Sequence, residues 1–254
     1  MVLEAIESIR HQDYGPLEII VVDDGSTDNT CDVVRTRFPE VQLISLKGQG
    51  PGRARNAGVA ASGGDILMFL DSDDLWLKDH VRRLMDVLHL GFQVAYGVTE
   101  NSDEIRGDSF IIPDTAEIQE GDCFEPLTKW CFLVPSSVAV RREAFLAVDG
   151  FDDVDCGEDW IFFLRLAALY PFGCAGPVPI TLRRLHRGSL CFLNDRKKLL
   201  AMINQLFKLL EKEPRATAAH RDHFTMLHEW TAANMKQWST VQEWYLEMRR
   251  EEII

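Results

Sequence analysis

The chain lacks any apolar run approaching the ~20 residues needed to cross a bilayer, so no membrane-spanning helix is expected from it. It is short of basic residues. Its 27 Lys and Arg stand against 40 Asp and Glu, a formal net charge of −13, whereas a nucleic-acid-binding face would be basic. It has no C-x-x-C spacing. The six cysteines (Cys31, Cys123, Cys131, Cys156, Cys174 and Cys191) are scattered, and no leader-like stretch opens the chain. Together these point to free thiols in a reducing, cytoplasmic setting rather than to zinc or disulfides. The glycine-rich stretch 48–52 lacks the Gly-Lys-Ser/Thr ending of a P-loop. Internal repeats and low-complexity segments are also missing. What remains, 254 residues with 46% hydrophobic and 26% charged side chains, suits one large domain or one domain with an extension.

Two features that are present stand out. Glu18-Ile19-Ile20-Val21-Val22 leads into Asp23-Asp24-Gly25-Ser26, and Ile66-Leu67-Met68-Phe69-Leu70 leads into Asp71-Ser72-Asp73-Asp74. Short runs of this kind read as strands buried on both faces of a parallel sheet. Ligands of open α/β sheets bind at the carboxyl ends of the strands. Two carboxylate clusters at one crevice would repel each other unless a hard divalent cation, such as magnesium or manganese, sits among them. Such cations commonly bridge protein carboxylates to substrate phosphates. The expectation is a metal-dependent enzyme acting on a phosphorylated or nucleotide-linked substrate.

Helical spacing is expected over 2–12, 28–38 (with Asp28 as N-cap), 53–61, 75–90, 142–148 and 158–170. Strands are expected at 18–22, 41–46, 65–70, 93–98 and 136–140, and loop over 47–52. The polar stretch 99–125 matches no pattern. Beyond Gly188 the sequence reads as helix, over about 194–212 and 217–250. The opening β-α-β-α-β rhythm predicts parallel strands with helical crossovers.

Val21-Val22-Asp23-Asp24-Gly25-Ser26-Thr27-Asp28-Asn29-Thr30 resembles the first nucleotide-binding motif of family 2 glycosyltransferases. Ala54-Arg55-Asn56-Ala57-Gly58 and Phe69-Leu70-Asp71-Ser72-Asp73-Asp74 resemble the next two motifs, in the right order. Gly150-Phe151-Asp152-Asp153 with Gly157-Glu158-Asp159-Trp160, and then Arg184-Leu185-His186, resemble the acceptor-side and closing segments. Together they run from about residue 3 to 190. The resemblance implies a GT-A (Rossmann-like) α/β fold: a mixed, mainly parallel sheet flanked by helices, over residues 1–190, with a helical extension at 191–254. It also implies inverting transfer of a sugar from a nucleotide diphosphate donor, UDP above all, to a saccharide, lipid-linked or protein hydroxyl, with manganese or magnesium as cofactor. By similarity Asp73 and His186 would serve the metal, Asp71 the ribose, and Asp23 and Asp24 the nucleobase. Arg55 would reach the base or the phosphates, and Asp159, with Glu158 beside it, would be the general base. The family ordinarily opens with a strand that ends just before the helix starting this chain. A central slot of the sheet is therefore expected to be vacant or differently filled.

Plainer readings accompany each residue. Both Asp clusters could be turns that cap a following helix. Glu158 and Asp159 would favourably meet a helix dipole, and His186 could be an ordinary packed histidine. Trp76 could touch the donor, while Trp130, Trp160, Trp230, Trp238 and Trp244 fit a core better than a sugar platform. The apolar face of 199–210 could pack on the catalytic domain, or serve peripheral membrane contact or a homodimer. Two other functions fit the acids: a sugar nucleotidyltransferase, which would need a glycine-rich triphosphate loop before the first cluster, and a non-catalytic relative that binds nucleotide-sugars or a partner.

Overall fold

The computed structural model describes residues 1–104, 107–154, 156–186, 188–189, 196–234 and 241–251. Cys191, Trp238 and the expected helical residues 194–195 and 235–240 lie outside them. In chain order, the first half holds α1 (Val2–Arg10), β1 (Ile20–Asp23), α2 (Thr30–Arg37), β2 (Gln42–Ser45), α3 (Pro51–Ala61), β3 (Ile66–Met68), β4 (Leu75–Trp76), α4 (His80–His89), β5 (Val94–Tyr96), β6 (Thr99–Asp103) and β7 (Asp108–Ile112). The second half holds α5 (Phe124–Leu127), β8 (Val138–Arg141), α6 (Arg142–Ala147), α7 (Glu158–Leu169), β9 (Phe172–Cys174), β10 (Thr181–Leu185), α8 (Arg196–Lys212), α9 (Ala218–Asn234) and α10 (Val241–Arg250).

The strands form three ladders among the described residues: β1-β2, β3-β8-β5-β9 and β4-β10-β6-β7. Pairing is parallel for β1 with β2, β5 with β9 and β6 with β10. It is antiparallel for β3 with β8, β5 with β8, β4 with β10 and β6 with β7. The fold is thus mixed α/β, and its parallel character is weaker than the opening rhythm suggests. Only β5 is buried along its whole length. β1 is mostly half-buried; the only described strand paired with it is β2. Among the described residues β1 and β3 belong to separate ladders.

Three local expectations change. Helix α3 begins at Pro51 rather than Arg53, since proline's fixed φ and missing N–H suit a first helical position. Leu75-Trp76 pairs with β10, so the helix expected from 75 starts at His80. Asn29, not Asp28, precedes α2, while the Asp28 carboxylate accepts from the Thr30 N–H at 3.0 Å.

One continuous core holds Val94, Tyr96, Val138 and Val140 from the second sheet, Trp160, Ile161, Phe163 and Leu164 from α7, and Leu199, Met202, Ile203, Leu206, Phe224 and Met248 from the C-terminal helices. The apolar face of α8 is therefore packed into the molecule. No described helix is long and apolar enough to cross a membrane.

Candidate functional site

The site begins at α3. Gly52 lies so close to the 151–158 segment that a Cβ there would meet the Asp152 carbonyl at 2.5 Å. Asn56 fastens the same junction by donating to the Phe151 carbonyl (2.8 Å) and accepting from the Phe151 N–H (3.0 Å). With α3 so held, Arg55 reaches two acids far apart in sequence. One guanidinium nitrogen donates to Glu158 Oε1 and another to Asp71 Oδ1, each at 2.8 Å, and its carbon lies 5.2 Å from the centre of the Phe151 ring. The side chain is only 12% exposed. Flanking carboxylates suit a planar cation at such a place, because a buried charge without partners would be costly.

The electrostatics follow from this arrangement. Burial alone would raise the Asp71 carboxyl, but Arg55 holds it below its ordinary value. Glu158 is pushed up by burial and by the charge of Asp159, with Arg55 opposing. Asp159 is pushed up by burial, although the Trp160 N–H donates to its Oδ1 at 2.7 Å. Two acids at the start of α7 are thus made more basic than usual.

The second cluster divides by residue. Asp73 Oδ2 lies 3.2 Å from His186 Nε2, and the Gly188 N–H donates to His186 Nδ1 at 3.1 Å. An Nδ1 that accepts leaves the ring proton on Nε2, so His186 donates to Asp73 here. Asp74 is the most deeply buried acid of the cluster. It accepts from Ser136 Oγ at 2.6 Å and from the Arg184 N–H at 3.3 Å. Burial and neighbouring Asp71 push its carboxyl up to about 7. Ser136 Oγ also accepts from the Asp71 N–H (3.1 Å), and Arg184 Nε donates to the Asp73 carbonyl. The acidic turn is therefore fixed from both sides.

The first cluster is placed differently. The Asp24 carboxylate accepts from the N–H groups of Gln49 and Gly50, both at 2.7 Å, and so ties the glycine-rich loop to the end of β1. Asp23 is held below its usual range by its hydrogen bond with Ser26. Trp76 is buried, stacks on His80 at 4.3 Å and donates through Nε1 to the Ser136 carbonyl at 2.8 Å. It is a support of the acidic turn rather than a ring open to a donor.

Of the residues expected from sequence, Arg55, Asp71, Glu158 and Asp159 come together, Asp73 meets His186, Asp24 ties the glycine-rich loop, and Asp23 bonds Ser26 in the turn after β1. Ser136 and Arg183 were not foreseen. The charge of Arg183, on β10, is felt at Asp71, Asp74 and Asp159. Nothing in the local sequence of either residue signals this. Among the described residues no three or more His, Cys, Asp or Glu side chains form a ready-made metal cage. Asp73 and His186 supply two such groups.

The family model described as Glycosyl transferase family 2 matches residues 1–146. An uncharacterized glycosyltransferase of Nostoc sp. is 36% identical over 162 residues, covering 59% of this chain and 49% of that one. The Escherichia coli protein named UDP-Glc:alpha-D-GlcNAc-diphosphoundecaprenol beta-1,3-glucosyltransferase WfaP is 27% identical over 207 residues, covering 79% and 78%. The chain spans about half the length of the Nostoc relative and 34% of an uncharacterized glycosyltransferase of Rickettsia felis. Among solved structures, Staphylococcus aureus TarS 1–349 in complex with UDP-GlcNAc superposes with a TM-score of 0.70 at 17% identity, covering 88% of this chain and 66% of that one. The mannosyltransferase PcManGT of Pyrobaculum calidifontis, in complex with GDP-Man and Mn2+, gives 0.62 at 19%, covering 98% and 75%. These likenesses carry the GT-A fold, and the match to the family model is decisive: the chain belongs to glycosyl transferase family 2.

Proposed function

We propose that this chain transfers a sugar from a nucleotide diphosphate donor to an acceptor hydroxyl with inversion at the anomeric carbon. The observation that carries this reading is Arg55 bridging Asp71 and Glu158 at 2.8 Å each, which joins the acidic turn to the acid pair of α7 in one site. In this reading Asp159 takes the acceptor proton through its second oxygen, Oδ2. The acceptor oxygen then bonds to the anomeric carbon from the face opposite the diphosphate, and the sugar–phosphate bond breaks to release the nucleoside diphosphate. Two carboxylate roles on opposite faces of a sugar are the general logic of inversion. A carboxyl pushed up by burial is a better base near neutral pH. Glu158, paired with Arg55, positions that base. Asp71 faces the ribose, and Asp23 and Asp24 frame the nucleobase side.

Asp73 and His186 would hold a manganese or magnesium ion, which when bound neutralises the charge that develops on the diphosphate. The oxygen donor of Asp73 suits such a cation; His186 would have to give up its Nε2 proton to join. The Mn2+ with PcManGT supports the metal, and the names of WfaP and of the TarS complex support UDP as the nucleotide.

Calorimetric titration of UDP, GDP and dTDP, each with and without manganese, tests the donor side. The expected outcome is UDP binding that needs the metal and is lost in Asp73→Ala. No binding of any of the three would refute it. On the acceptor side, Asp159→Asn should leave UDP binding intact and cut transfer by at least the ~10²-fold of a lost general base. Normal transfer by that variant would remove Asp159 from the role.

A further inference from the structure

Helix α7 starts at an unusual residue. Gly157 immediately precedes it with φ +78°, a left-handed conformation that disfavours any residue with a Cβ. Space excludes a side chain as well, since a Cβ at 157 would lie 2.6 Å from Met202 Sδ. The next two residues are Glu158 and Asp159. Met202 is buried and lies on α8, in the C-terminal part of the chain beyond the stretch that matches the family model.

The same C-terminal helices hold α7 further along. Phe224 of α9 tilts against Trp160 at 5.9 Å between ring centres, and the Trp160 indole N–H donates to the Leu127 carbonyl at 2.7 Å. Arg215, between α8 and α9, donates to the Ala167 carbonyl in the last turn of α7 at 2.9 Å and stacks over Phe124 at 4.6 Å. The first turn of α7 is therefore held by Met202 and Phe224, and its last turn by Arg215.

We infer that α8 and α9 are a positioning element for the acceptor-side acids, and that Met202 is its key positioning residue, seating the first turn of α7 through Gly157. The inference rests on the reading of Glu158 and Asp159 given above. Met202 touches no reacting atom. It acts by filling the space behind the turn, so that Asp159 keeps one direction. Unbranched and polarizable, methionine fits an irregular gap against a backbone well. A misplacement of about 1 Å at a reacting group can cost ~10²-fold in rate, so a small void here should matter more than an equal void elsewhere in the core.

The test compares Met202→Ala and the milder Met202→Val with Leu210→Ala. Leu210 is also buried on the same helix but eight residues away, roughly 12 Å along the axis. Backbone hydrogen exchange and carbon-13 titration of the side-chain carboxyls serve as readouts, and neither depends on knowing the acceptor. Expected for both Met202 variants is at least tenfold faster exchange at the Trp160 and Ile161 amides, with the titration of the Glu158–Asp159 pair shifted toward the ordinary carboxylate range. Met202→Leu should restore both, and Leu210→Ala should move neither. Equal effects of the Met202 variants and Leu210→Ala would reduce Met202 to general packing, and an unchanged acid titration in Met202→Ala would overturn the inference. Failure of the catalytic reading is seen separately, as normal transfer by Asp159→Asn.

Discussion

At the scale of single residues, the acids of the site carry opposite burdens. Asp71 gains from Arg55, whereas Asp74 is buried with only neutral donors, a hydroxyl and an amide, among the partners described. A carboxyl raised to about 7 when folded binds a proton in the native state that the unfolded chain has already released. Stability then falls as pH rises from the unfolded value toward 7. His80, buried and lowered to about 3, acts the other way: the unfolded chain gains its proton below pH ~6.5, so acidification costs stability. A single pH curve would mix the two. The difference between Asp74→Asn and the parent in unfolding free energy isolates Asp74, and it should grow in the variant's favour from pH 5 to pH 8 in urea titrations. A difference that stays flat over that window would show Asp74 ionised throughout. The acids themselves were legible, because Asp clusters after apolar runs stand out. Their partners were not. Arg55 and Glu158 are 103 positions apart, and Ser136 carries no local mark of its two hydrogen bonds.

Among elements, the junction of α3 with the 150–158 segment decides whether Arg55 reaches both acids. Asn56 supplies it with two bonds to one residue's backbone, as a neighbouring strand would. Asn56→Ala should lower unfolding free energy by about 2 kcal/mol, the cost of leaving such groups unpaired, measured by chemical denaturation. A loss below about 0.5 kcal/mol, the ordinary range of surface changes, would place the hold elsewhere. Sequence read most helices to within a few residues, since their apolar spacing is regular. It missed β6, β7, β9 and β10 for a physical reason. The Thr99-Glu100-Asn101-Ser102-Asp103 strand buries polar side chains through pairing with β10 and β7, and three-residue β9 is too short to show a period. Burial of that kind comes from partners, not from pattern. Pro51 misled in the other direction, ending an apparent loop by starting a helix.

For the whole molecule, the C-terminal helices share one core with the sheet and α7. Removing 194–254 would uncover Trp160 and its neighbours, so the shortened chain should lose soluble, cooperatively folding protein, followed by size-exclusion chromatography and thermal melts. A soluble, sharply melting 1–193 fragment would instead mark those helices as an appendage and reopen the membrane or dimer reading of their apolar face.

The packing of Met202 against Gly157 also limits how this chain can be recombined. A crossover near position 190 joins the front of one relative to the back of another. It separates two residues that fit only as a pair, glycine with a long flexible thioether. A donor of the front half with any side chain at 157 would collide with this chain's α8. A donor of the back half with a small residue at 202 would leave the first turn of α7 unsupported. Functional hybrids should therefore carry 157 and 202 from the same parent, and a library shuffled at that point should be depleted of every other combination.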